Sequence, residues 1–211
     1  AIKSDRRNVA GKYLRGVWDE FILDGKGREI MPLAWRSGNF LDLQVIAADE
    51  DVLLEQFTIQ ETRYPLEPLG EFLCDKNEIN EIVPLCVRTL QVSAHDNFVD
   101  CPYYEQLPYT GDGRLQALVN LAAFRDDTLV RKMLVIFAES RDLNGFTMAA
   151  WPRRVRSVIP SFSLSWIGMV HDYALWRDDR GLIVSLMPGV RFLLDNLMAG
   201  MDSDGFLRGV D

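Results

Sequence analysis

The pattern of apolar and polar positions changes character near Pro65. Before this proline, apolar and polar residues alternate with a period of two, as in residues 40–47 (FLDLQVIA) and 53–61 (LLEQFTIQE). Such alternation predicts half-buried β-strands, and the glycines and charges of residues 24–27 predict a turn between two further segments. The N-terminal part is therefore predicted to be antiparallel sheet, although three or four strands would make only an incomplete sandwich.

After Pro68 the apolar residues recur at helical spacing, and five helices are predicted. The first is expected to begin at an Asp75 N-cap and to be kinked by Pro84. Residues 145–160 contain one glycine and two prolines and are predicted to be a long loop. The other four helices are predicted from about Asp112, over 127–140, over 162–177 and over 182–199, the last with Pro188 in its path. The fold class is thus mainly α with an N-terminal β segment.

The charge balance limits the partners. The chain has 31 acidic and 23 basic residues and a net charge of −8, and it lacks a basic stretch able to neutralise several phosphates, so no nucleic-acid partner is predicted. The arginines at 153, 154 and 156 form the only tight basic group and are expected on a solvated loop. No uninterrupted apolar run approaches the roughly 18 residues of a membrane span, so no membrane partner is predicted.

Cysteine and histidine are too sparse for a zinc site of the usual spacing. The chain has three cysteines without a CxxC motif, and its two histidines, His95 and His171, are far apart. Neither a metal nor another cofactor is therefore predicted. We expect His95 to bond the last carbonyls of the first helix. We expect His171 to be a buried core residue, with a sugar contact as the alternative.

Residues 97–116 (NFVDCPYYEQLPYTGDGRLQ) combine three carboxylates with three tyrosines. Aromatic rings pack on the apolar faces of a pyranose, and carboxylates accept hydrogen bonds from its hydroxyls. A carboxyl group among rings also loses solvation, which favours its protonated form and suits a general acid. Structural alternatives stay open: Asp112 could be a helix N-cap, and Asp100 could close an Asx turn.

Two strings within this segment carry a family resemblance. DCPYYE at residues 100–105, followed by YTGD at residues 109–112, resembles the signature of the bacterial α-L-rhamnosidases of glycoside hydrolase family 78. Residues 40–67 resemble the end of the β-domain that precedes the catalytic domain of that family. Residues 159–166 resemble a later helix entry. The resemblance covers about residues 20–210.

The resemblance implies a partial (α/α)6 barrel preceded by the end of a β-sandwich domain. Residues 1–66 would end the sandwich, and residues 67–211 would form the N-terminal part of a twelve-helix barrel that the rest of the parent chain completes. It also implies hydrolysis of terminal α-L-rhamnosyl residues with inversion, on a rhamnose-containing oligosaccharide or glycoside. The catalytic base would lie beyond Asp211, and a periplasmic or secreted location is favoured over a cytoplasmic one.

The resemblance also implies roles for single residues. Glu105 matches the general acid, and Asp100 and Asp112 match carboxylates that hold sugar hydroxyls. Tyr109 takes the position of an aromatic residue that lines the pocket. Trp166 resembles a tryptophan that packs against the sugar, while its spacing supports a core position equally well.

Three further positions bear on which ligand is bound and on whether the chain is catalytic. Trp151 lies on the predicted long loop, which makes it a candidate sugar platform. The family often has Arg where this chain has Tyr104, and Trp where it has Tyr109. These differences leave open which sugar is bound. They also keep two alternatives: a non-catalytic carbohydrate-binding module on the same fold, and another (α/α)6 glycosidase or a lyase acting on uronic acids.

Overall fold

The structure is a computed structural model that describes residues 8, 11, 17–47 and 51–207. The chain divides into two compact units, Ala1–Gln60 and Glu61–Asp211. The second unit contains five α-helices connected in sequence order. These are α1 (Asn77–Val92), α2 (Thr110–Ala123), α3 (Thr128–Glu139), α4 (Pro160–Trp176) and α5 (Arg180–Ala199).

The described part of the N-terminal segment does not form the predicted strands. Across the described residues 17–47 and 51–60 there is no strand. Leu41 and Leu43, which were expected to face a core, are 64% and 52% exposed. A β-strand is stabilised by hydrogen bonds to a neighbouring strand and by a covered apolar face, and the described part of this unit supplies neither. Period-two alternation therefore indicates that a segment could form a strand. It does not show that a neighbouring strand is present to pair with it.

The helices form where the spacing predicts them, but two of the predicted N-caps are wrong. Lys76, not Asp75, occupies the N-cap position of α1 and makes no side-chain cap hydrogen bond. α2 begins two residues before Asp112, with Tyr109 at its N-cap position. Asp112 consequently lies inside the first turn, where its negative charge complements the helix dipole.

α5 is the longest helix, and Pro188 lies within it rather than ending it. By length and a mean hydropathy of 1.4, α5 could cross a membrane, but a single helix of this kind does not by itself indicate a membrane protein. Leu186, Val190, Leu193 and Leu197 lie on one face of α5 and are buried in the helical core. This spacing is the pattern of an amphipathic helix packed on its neighbours.

The predicted site directly precedes α2, so its position depends on how α2 packs against α4. Arg114 on α2 donates to Asp172 on α4, with Nε–Oδ2 and Nη2–Oδ1 distances of 2.8 and 3.4 Å. A Cβ at residue 168 would lie 2.4 Å from Arg114 Cζ, so Gly168 lets the guanidinium cross α4. Because two of its nitrogens bond the same carboxylate, the guanidinium is held in a defined orientation.

Candidate active site

The predicted site begins with a closed loop, residues 100–107, which we call the site loop. The backbone N–H of Asp100 donates to the Leu107 carbonyl at 2.9 Å, and the Leu107 N–H donates to Asp100 Oδ1 at 3.0 Å. Asp100 therefore closes a loop of eight residues instead of the Asx turn considered from the sequence. Gln106 has a φ of 54°, a left-handed conformation that turns the chain back toward Leu107.

Glu105 is exposed near the end of the site loop, so the expected loss of solvation among the tyrosine rings is not found. Its Oε2 accepts a hydrogen bond of 2.5 Å from the Tyr109 hydroxyl. This hydrogen bond is the main cause of a raised pKa at Tyr109, to which partial burial and the Glu105 charge also contribute, while the charge of Arg153 opposes it. Among the described residues, Glu105 Oε1 has no hydrogen-bond partner. One oxygen is thus held by the protein, and the other is free to meet a ligand.

The Tyr109 backbone is fixed by a short antiparallel pairing with the segment before Trp151. Tyr109 and Ala150 form an isolated β-bridge. The Thr110 N–H donates to the Ala149 carbonyl at 2.9 Å, and the Trp151 N–H donates to the Pro108 carbonyl at 3.2 Å. The start of α2 and the loop that carries Trp151 are therefore held side by side.

The Tyr109 ring is positioned by Phe162 at the start of α4. The two ring centroids are 6.3 Å apart, and the rings meet edge to face at 88°. A Cβ at residue 111 would lie 2.6 Å from Phe162 Cε1, so only glycine allows this approach. The YTGD string thus supplies a ring at Tyr109, a close helix contact at Gly111 and the carboxylate of Asp112 within four positions.

Asp112 is exposed, and its carboxylate makes no hydrogen bond or ion pair with another described residue. Asp100 closes the site loop that carries Glu105, Glu105 bonds Tyr109 just before α2, and Asp112 lies in the first turn of α2. Their carboxylates and the tyrosine ring can accept hydrogen bonds from sugar hydroxyls, offer a proton and cover an apolar sugar face. No group of three His, Cys, Asp or Glu side chains in the described ranges is arranged to hold a metal ion.

Trp151 is half-buried and precedes Pro152 through a cis peptide bond. It lines a cavity of about 400 Å³ that was not expected from the sequence. The RRVR string at residues 153–156 contributes three of its lining arginines, and these are exposed on a loop, as the sequence predicted. The other lining residues are Glu139, Ser140, Arg141, Met148, Arg153, Arg154 and Arg156.

Trp166 does not line a site in this structure. Its side chain is fully buried, and its indole N–H donates to the Leu134 carbonyl at 3.1 Å. A sugar could not reach the ring, so Trp166 is a core residue and the predicted sugar contact is corrected here. The sequence could not separate the two possibilities because both place an aromatic ring on the same helix face.

The two histidines differ from each other. The predicted bond between His95 and the end of α1 is confirmed: its imidazole bonds the Val92 backbone, and burial lowers its pKa while this bond opposes the shift. His171 is exposed, contrary to the prediction of a core residue, and its Nδ1 lies 3.5 Å from Asp172 Oδ1. The His171 side chain points to solvent from α4, whereas the next residue, Asp172, pairs with Arg114 on α2.

Comparison with known proteins gives one consistent assignment. Residues 67–197 match the family model described as the bacterial alpha-L-rhamnosidase 6 hairpin glycosidase domain. A solved rhamnosidase of family GH78 from Bacillus sp. GL1 is similar, with 30% identity, a TM-score of 0.64 and coverage of 69% of this chain and 15% of that one. A rhamnosidase from Klebsiella oxytoca, solved with rhamnose bound, shows 26% identity, a TM-score of 0.60 and coverage of 65% and 28%.

The chain spans less than a third of the length of either solved relative. A search of curated proteins gives no match. The family model nevertheless covers more than half of the chain and includes the whole of the site loop and the YTGD string. The chain therefore belongs to the bacterial α-L-rhamnosidase family of six-hairpin glycosidases.

Proposed function

We propose that the protein is a glycoside hydrolase that cleaves terminal α-L-rhamnosyl or related residues by an inverting mechanism, with Glu105 as the general acid. The observation that supports this proposal is the Tyr109–Glu105 hydrogen bond of 2.5 Å, which joins the DCPYYE string to the YTGD string. A general acid must be oriented toward the leaving-group oxygen, and the tyrosine hydroxyl fixes one carboxylate oxygen while the other stays free.

The neighbouring residues then bind the sugar. Asp112 has no protein partner among the described residues, so its carboxylate is available to accept hydrogen bonds from sugar hydroxyls. Asp100 uses Oδ1 to close the site loop, which leaves Oδ2 for a hydroxyl. We assign Tyr109 to the wall of the pocket and Trp151 to a platform at its edge.

The rest of the machinery lies in other parts of the protein. An inverting reaction needs a second carboxylate on the opposite face of the sugar, about 6.5–9.5 Å from the acid, to activate a water molecule. We propose that this base comes from beyond residue 211, on a later helix of a complete (α/α)6 barrel that begins at about residue 67. Residues 1–66 would pair with further strands of a β-sandwich domain, which would cover apolar residues such as Leu41.

The test is Glu105→Gln in the complete protein, assayed on two α-L-rhamnosides. Glutamine keeps the shape of the side chain and can still accept a hydrogen bond from Tyr109, but its amide has no acidic proton to transfer to the leaving group. We expect a loss of about 10²–10⁴-fold in kcat/KM on an alkyl rhamnoside. We expect a much smaller loss on a nitrophenyl rhamnoside, whose leaving group needs little protonation.

Glu81→Gln is the matched control, because Glu81 is exposed on α1 without a described ion pair. It should leave both substrates unaffected. Equal losses on both substrates in Glu105→Gln would remove the acid role. Rhamnose binding by a wild-type protein that turns over neither substrate would instead favour the carbohydrate-binding module.

A further inference from the structure

The cavity beside Trp151 concentrates positive charge in a chain whose net charge is −8. Four guanidinium groups and one carboxylate, that of Glu139, line it. We call it the arginine cavity; its arginines are Arg141, Arg153, Arg154 and Arg156. It is a half-open depression of about 400 Å³, a volume within the range of small-molecule sites, and the side chains of Arg153, Arg154 and Arg156 are exposed to solvent.

These arginines have no carboxylate partner within 4.0 Å among the described residues, whereas seven of the ten other described arginines have one. Glu139, although it lines the same cavity, forms no ion pair with any of them. Ion pairs to aspartate or glutamate are instead made by Arg28, Arg36, Arg63, Arg88, Arg114, Arg131 and Arg177. Within the described residues, the arginine cavity thus gathers guanidinium groups without an acidic partner, and these groups are available to bind an anion.

One of the four arginines is held in place by the helical core. The Arg141 guanidinium lies over the buried Trp166 ring, 5.6 Å from its centroid, and its Nε donates to the Ala138 carbonyl at 2.7 Å. A Cβ at residue 189 would lie 1.9 Å from Arg141 Nη1, so Gly189 makes room for the group against α5. A positioned guanidinium loses little freedom when it binds an anion.

The arginine cavity adjoins the proposed acid. The segment that enters it is paired with Pro108 and Tyr109, and Tyr109 bonds Glu105. The charge of Arg153 is close enough to act on the Tyr109 hydroxyl, lowering its pKa against the other contributions. A general acid gives its proton to the leaving-group oxygen, so the leaving group must lie on the Glu105 side of the site.

We propose that the arginine cavity binds an acidic saccharide, a sugar residue bearing a carboxylate, as the leaving-group part of the substrate. The forked N–H donors of arginine match a carboxylate in two parallel hydrogen bonds, and the half-buried Trp151 ring offers a face for the pyranose. This inference rests on the proposed glycosidase function for the identity of the neighbouring sugar. The recognition of the acidic sugar is inferred from the residues of the arginine cavity alone.

The experiment is isothermal titration calorimetry of the complete protein with glucuronate and with glucose, which differ only in the carboxylate. We expect glucuronate to bind at least tenfold more tightly than glucose. Arg153→Gln combined with Arg154→Gln should weaken glucuronate at least tenfold and leave glucose unchanged. Arg156→Gln, read separately, should weaken glucuronate in the same direction.

The control is Arg180→Gln, which removes an exposed arginine that lies outside the cavity and forms no ion pair with a described residue, and it should leave glucuronate binding unchanged. Equal affinity for the two sugars would overturn the proposal, as would an unaffected double variant. Inorganic sulfate that binds as tightly as glucuronate would also overturn it, because the cavity would then recognise any small anion.

Binding does not depend on turnover, so the two proposals fail separately. A protein that cleaves nitrophenyl rhamnoside but does not distinguish glucuronate from glucose keeps the glycosidase function and loses the acidic subsite. A protein that binds glucuronate through Arg153 and Arg154 but hydrolyses no rhamnoside keeps the subsite and loses the proposed reaction.

Discussion

The helical core and the N-terminal end of α2 hold their polar groups in opposite ways. In the core, Asp172 is 8% exposed and pairs with Arg114, and the indole N–H of the buried Trp166 has a carbonyl partner. At the end of α2, Glu105 and Asp112 are exposed, and between them they accept one side-chain hydrogen bond from the described residues.

This difference is what a catalytic scaffold requires. Buried polar groups such as Asp172 and the Trp166 indole find partners within the protein because desolvation without compensation is costly, although the buried Asn120 amide has no partner among the described residues. Groups that bind substrate must keep bonding capacity free, so they lie on loops that a rigid element positions. Changes in the core should therefore alter stability, whereas changes at the end of α2 should alter affinity or rate.

The largest effect on stability is expected for Trp166→Ala. Emptying this fully buried site should lower the free energy of unfolding by about 3–5 kcal/mol, measured by urea denaturation. Trp176→Ala is the control on the same helix, where the ring is 49% exposed, and it should cost far less. A stable Trp166→Phe variant that loses affinity for rhamnose would contradict the core assignment and restore the sugar contact.

A smaller effect should appear at alkaline pH through Tyr173. Burial, with the hydrogen bond to Asp127, raises the pKa of Tyr173 to about 12, against an opposing contribution from Arg131. Because the folded-state pKa is above the unfolded value near 10, this stabilisation is complete below pH 10 and is lost as the pH rises through 12.

The measurement compares wild type with Tyr173→Phe from pH 9 to pH 12. The stability difference between them should shift by about 2–3 kcal/mol toward the phenylalanine variant over this range. Tyr104→Phe, at a position 83% exposed, should show no such shift. A constant difference between wild type and Tyr173→Phe would mean that burial does not hold this hydroxyl in its neutral form.

The smallest effect on stability is expected for Asp112→Ser, because Asp112 has no described side-chain partner to lose. We expect a change of less than about 0.5 kcal/mol in unfolding free energy. Affinity for rhamnose should nevertheless fall about tenfold, which corresponds to about 1.4 kcal/mol. Unchanged affinity, measured by calorimetry, would show that Asp112 only complements the helix dipole.

The five helices could be predicted from the sequence because helical spacing is a local property. Each apolar stripe lies within one segment, as in α5, where the buried residues recur every three or four positions. The candidate residues could also be identified from the sequence, since Asp100, Glu105, Tyr109 and Asp112 fall within thirteen residues, on the site loop and at the start of α2. Their short separation in sequence leaves few alternative arrangements.

What only the tertiary structure decided depends on contacts between distant segments. The burial of Trp166 depends on contacts such as its hydrogen bond to Leu134 on another helix, and the arginine cavity brings Arg141 to arginines 12 to 15 residues later on the same connection between α3 and α4. The strands expected at 40–47 and 53–61 likewise need neighbours that their own alternation cannot specify. Local patterns fix which face of an element is apolar, but burial and charge pairing depend on what packs against that face, which is a property of the whole fold.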